Sequence, residues 1–129
     1  MRSLQLTTIS TCCFLLAGCS GKNEPVMSHG KPVAHWLEEL KKSDPQARKK
    51  AVVALGHVGK ADDAVIPALI SVVTEDQNSA VRNEAILALL NIGTDAKDAV
   101  DALTQAQNDK DSTIRSNATK ALERIRETR

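Results

Sequence analysis

"NSAVRNEAILALLNIG", residues 78–93, decides the fold because the chain repeats its pattern twice more. "DPQARKKAVVALGHVG" stands at 44–59 and "DSTIRSNATKALERIR" at 111–126, so the copies are offset by 34 (78 − 44) and 33 (111 − 78) residues. Self-similarity at such a period marks a stacked array of like units rather than one irregular globule. Small or aliphatic residues recur at Ala47, Ala51, Ala54, Leu55 and Val58, at Val81, Ala85, Ala88, Leu89 and Ile92, and at Ile114, Ala118, Ala121, Leu122 and Ile125. Steps of four, three, one and three residues put these side chains on one face of an α-helix.

The ends of each copy are marked as well. Asp44, Asn78 and Asp111 are N-cap residues, whose short side-chain oxygens accept from the free amides of the first turn, and Pro45 suits the first helical position. Gly59 and Gly93 supply the positive-φ residue that closes a helix. Arg126 takes that place in the third copy, so the last helix is expected to run on towards the chain end. Between the copies lie "DDAVIPALISVVTED" (62–76) and "DAKDAVDALTQAQND" (95–109), alike at Ala64/Asp98, Val65/Ala99, Ile66/Val100, Ala68/Ala102 and Leu69/Leu103. "PVAHWLEELKKS" (32–43) is a third relative before the first cap. Each unit reads as a helical hairpin, an outer helix followed by an inner one, and the chain holds about two and a half.

Composition agrees with an all-α chain. Of 129 residues 42% are hydrophobic and only 2% aromatic, namely Phe14 and Trp36, so the core is built from Ala, Val, Leu and Ile. A β-sandwich would draw on far more aromatic and β-branched residues.

The cap followed by Pro, the Val/Ala-Arg pair and the "ALG" and "PAL" elements together resemble bacterial HEAT repeats, particularly the short HEAT-like class named after phycobilisome lyases, over residues 32–129. The resemblance implies a short α-solenoid whose repeated residues are packing residues. Asp101 departs from the pattern where a proline is usual, Gln107 where an aliphatic is expected, and Gln77 as an extra residue before the second cap. Arg48, Arg82 and Arg115 recur four residues after each cap. The resemblance makes them a structural ladder to the acidic caps of neighbouring repeats, not a basic binding strip.

The N-terminus carries an address. "LQLTTISTCCFLLAG" (4–18) follows Arg2 and has the length and polarity of a secretory leader, while being too short and too Thr/Ser-rich for a membrane span. Leu16-Ala17-Gly18-Cys19 resembles the lipobox of bacterial lipoproteins. That resemblance implies cleavage between Gly18 and Cys19, a diacylglyceryl group on the Cys19 thiol, and a lipid-anchored protein of the cell envelope. By analogy with the sorting of such lipoproteins, Ser20 in place of an Asp favours the periplasmic side of the outer membrane. Cys12 and Cys13 would leave with the leader, so no disulfide remains. The expected organisation is a signal peptide (1–18), a lipidated N-terminus and flexible tether (19–31) and the repeat domain (32–129).

Catalytic signatures are absent. His29, His35 and His57 are followed by Gly30, Trp36 and Val58, so there is no His-Glu dyad, and neither a metal-ligand spacing nor a nucleophile turn occurs; no cofactor is implied. "ARKK" (47–50) is the one dense basic run and has no aromatic beside it, which argues against nucleic acid. Two classes remain: an interaction module, or a subunit or relative of a HEAT-like lyase-type enzyme, which would need more repeats to enclose a ligand. The shallow groove of so few repeats favours the first. Segments 45–60, 79–93 and 112–129 hold ten basic residues against Glu84, Glu123 and Glu127, whereas 61–76 and 95–109 hold eight acidic ones against Lys97. Glu38, Ser71, Asp98, Asp101 and Gln105 are therefore expected to form a partner-binding face on the inner helices, suited to a basic protein segment. Self-association is a second way to cover the open ends of so short an array.

Overall fold

The structure, a computed structural model, describes residues 24–127. The leader, the Gly18–Cys19 cleavage site and the first part of the tether lie outside the described residues. Six helices follow one another: α1 (Val33–Glu39), α2 (Pro45–Val58), α3 (Val65–Glu75), α4 (Ser79–Ile92), α5 (Val100–Ala106) and α6 (Ser112–Arg126). A small antiparallel pair, β1 (Met27–Ser28) and β2 (Lys31–Pro32), precedes them.

The caps act as the sequence dictates. The Asp44 side chain accepts from the amides of Gln46 and Ala47, Asn78 from Ala80 and Val81, and Asp111 from Thr113. Gly59 and Gly93 have φ of 59° and 68° with ψ of −132° and −130°. This is a quadrant that glycine alone enters without strain. It is not the ordinary left-handed helical turn, and it feeds the chain straight into the 3₁₀ turns Gly59–Ala61 and Gly93–Ala99. With Arg126 in place of a glycine, α6 continues through that residue.

The helices form two layers with the core between them. In one, α4 packs along its length against both α2 and α6; in the other, α1, α3 and α5 lie further apart. Leu55, Leu69, Ile86, Leu89, Leu103 and Ile114 fill the space between and are fully buried. Close approach in the first layer is set by small residues: a Cβ on Gly56 would stand 2.9 Å from Ala88 Cβ. α2, α4 and α6 thus form the closely packed layer, and α1, α3 and α5 the more open one.

The array opens with a folded element rather than a loose lead-in. His29 (φ 49°) and Gly30 (φ 72°) make the two-residue turn between β1 and β2. Positive φ at both central positions matches the twist of a tight hairpin. Ser28 Oγ, buried, donates to the carbonyl of Ala54 at 2.7 Å, and Trp36 Nε1 donates to the carbonyl of Ser28 at 3.0 Å. The last residues of the expected tether, 27–31, are thus part of the domain.

Candidate functional site

The three arginines occupy equivalent places and make the same local bonds. Arg48 Nη1 donates to the carbonyls of Lys42 (2.9 Å) and Ser43 (2.8 Å), Arg82 Nη1 to those of Asp76 (2.9 Å) and Gln77 (3.2 Å), and Arg115 Nη1 to those of Asp109 (2.8 Å) and Lys110 (2.9 Å). Arg48 then grips Asp76 of the next unit through Nε (2.7 Å) and Nη2 (3.0 Å), and Arg82 grips Asp109 at 3.0 and 3.1 Å. Such two-pronged pairs fix geometry as well as charge. The acids of this ladder are not the caps Asn78 and Asp111, as expected, but the residues two positions before them. Each also accepts from the cap's own amide at 2.9 Å, which leaves the cap side chain free for its helix.

Burial pushes the carboxyls of Asp76 and Asp109 up. The hydrogen bonds from the arginines and the cap amides and the nearby positive charges outweigh it, and both groups sit below the usual aspartate range. These arginines and acids hold repeat to repeat.

That surface is grooved. Between α1 and α3 runs an open groove of about 570 Å³, floored by Leu37, Leu40, Ala68 and Val72 and rimmed by Glu38, Lys41, Ser71 and Glu75. Lys41 Nζ donates to Glu38 at 2.7 Å. A second hollow of about 530 Å³ between α3 and α5 is lined by Thr74, Ala102 and Gln105 and floored by the Arg82–Asp109 pair. At the starts of the same helices Asp62, Asp63, Asp95 and Asp98 surround Lys60, which is held by Asp95 at 3.1 Å.

The pattern that defines HEAT repeats as a family matches residues 33–123. The chain belongs to the HEAT-repeat family. Two engineered proteins known from crystal structures have similar folds: each is 28% identical over 72% of this chain, with TM-scores of 0.55 and 0.54. The HEAT domain spans 44% and 27% of their respective lengths. No curated protein matches the sequence.

The HEAT fold distributes the expected partner-binding residues over four places on one layer. Glu38 and Ser71 share the α1–α3 groove, Gln105 lines the second hollow, Asp98 joins the acidic cluster, and Asp101 is exposed on the first turn of α5. Sequence reasoning missed the apolar floor of Leu37 and Leu40, whose spacing of three residues on a short helix was the available signal. It missed too that the histidines gather round Trp36: the His29 ring lies 5.2 Å from that of His57 and 6.1 Å from the indole, and His35 lies 5.0 Å from the indole. Among the described residues no three His, Cys, Asp or Glu side chains are placed to hold a metal ion, and no helix is long and apolar enough to cross a membrane.

Proposed function

We propose that this HEAT domain is a protein-interaction module of the bacterial cell envelope, held at the membrane by lipid on Cys19, that takes a basic segment of another protein along the α1, α3 and α5 layer. The observation that carries the reading is the α1–α3 groove: an apolar floor accepts aliphatic anchors, and the rim carries two carboxylates, Glu38 and Glu75, against one cation, Lys41, which is paired with Glu38. The acids at Asp62, Asp63, Asp98 and Asp101 extend the same sign of charge to the other end of α3 and onto α5. HEAT repeats generally serve as protein-binding scaffolds, and their extended surfaces suit long, shallow contacts. Two or more acyl chains at the N-terminus would make the membrane association stable where one chain is marginal.

Replacing Asp98 and Asp101 by Lys, both exposed, leaves the fold intact and slows association with a basic partner on the order of tenfold at low salt. The difference shrinks as ionic strength rises past about 0.1 M, where screening acts within about 10 Å. Binding kinetics against salt check this, and equal association rates for both proteins would remove these acids from the interface. For the anchor, Cys19→Ala is expected to abolish incorporation of labelled fatty acid. Normal labelling of that variant would refute lipidation at Cys19.

A further inference from the structure

In the two internal steps of the ladder each guanidinium is divided between two tasks: Nη1 ties down its own turn, while Nε and Nη2 hold an aspartate of the next unit. Arg115 performs the first task alone. Its Nη1 is fixed by two carbonyls as in its sisters, and among the described residues no carboxylate meets its Nε or Nη2. The side chain is exposed. A guanidinium already held in the orientation that binds carboxylate twice elsewhere in the fold is pre-organised, and less freedom is lost on forming the same bonds again.

We propose that Arg115 is a docking point for a carboxylate from an acidic segment of a partner protein, bound at the α6 end of the solenoid. The site goes beyond the surface described above and has the opposite charge preference. A second copy stacked head to tail does not fit it. The carbonyl of Lys42 accepts from Arg48 as those of Asp76 and Asp109 accept from Arg82 and Arg115, so Lys42 occupies the ladder-acid position of the first unit. Stacking would bring its ammonium group, held by Glu39 at 2.7 Å, against Arg115. Nor does α6 offer an apolar face for a further packed repeat: Lys120 and Glu123 stand where α4 has Leu87 and Leu90.

The test uses the full chain with labelled arginine side chains and a synthetic peptide copying residues 108–113, which carries the ladder aspartate and its cap. The Arg115 Nε–H resonance is expected to shift saturably while those of Arg48 and Arg82 stay in place. The same peptide with Asn for the ladder aspartate should bind at least about tenfold more weakly, as should the wild-type peptide to Arg115→Lys, because a lysine cannot present the fork. Equal affinity for the aspartate and asparagine peptides, or an Arg115 shift no larger than that of Arg126, would overturn the proposal. A concentration-dependent dimer that Arg115→Lys dissociates would overturn the choice of partner in favour of a second copy.

Discussion

Leu89→Ala is expected to lower the stability of the domain by about 2–5 kcal/mol, the range for a fully buried leucine whose cavity cannot collapse. Leu89 is 0% exposed on α4, the helix that packs against α2 on one side, α6 on the other and α3 beneath. No neighbour can move into the space without giving up its own packing. Leu122 is the equivalent residue of α6 and is nearly as buried, at 2%. Its helix has the α4 and α5 side to pack on and a polar face opposite, so it can shift inward. Leu122→Ala should therefore cost less than Leu89→Ala. Urea unfolding of the two variants measures the difference, and the reverse order would mean that α4 is not the central helix of the array.

Asp76→Ala is the second large effect, about 3 kcal/mol, at the lower end of the cost of breaking a buried pair by removing one partner. The aspartate side chain is 6% exposed and the Arg48 side chain 16%, so the change strands a half-buried guanidinium and takes away the acceptor for the Asn78 amide. The same pair sets the response to acid. Asp76 and Asp109 titrate below the unfolded value of about 3.9. Their contribution is complete above that pH and is lost as pH falls through the lower, folded-state value. Wild-type protein should accordingly lose stability steeply below about pH 4, and Asp76→Ala, already without half of the ladder, should lose less over the same interval. Parallel acid titrations of both proteins would contradict this role for the ladder.

What the sequence made legible was local. Asp44, Asn78 and Asp111 name their helices by a bond that spans two or three residues, and the Ala/Leu steps name the buried face of each. What it hid was set by distances across the array. How closely α2 packs on α4 depends on Gly56 facing Ala88, and a repeat pattern alone does not contain that spacing. The ladder acid was misplaced by two residues because the cap, Asn78, and the acid two before it, Asp76, both carry a side-chain oxygen an arginine could reach, and only the Arg48 fork shows which is used. The β1–β2 hairpin sits in a Gly- and Ser-containing stretch that reads as tether. It is folded because Ser28 reaches Ala54, far along the chain, and because Trp36 reaches back to Ser28. Of the candidate surface, the acids were legible from charge counted by segment; the groove was not, since it exists only where α1 and α3 stand apart.

On the proposed function, partners dock on the grooved layer and not on the closely packed one. Site-specific photo-crosslinking in cells tests it most directly, with a photoreactive residue placed in turn at Ser71, on the rim of the α1–α3 groove, at Gln105 beside the second hollow, and at Asn91, exposed on α4. Ser71 and Gln105 are expected to capture the same protein through a basic segment, and Asn91 is expected not to capture it. Capture of that protein from Asn91 alone would contradict the account and assign the docking surface to the α2, α4 and α6 layer.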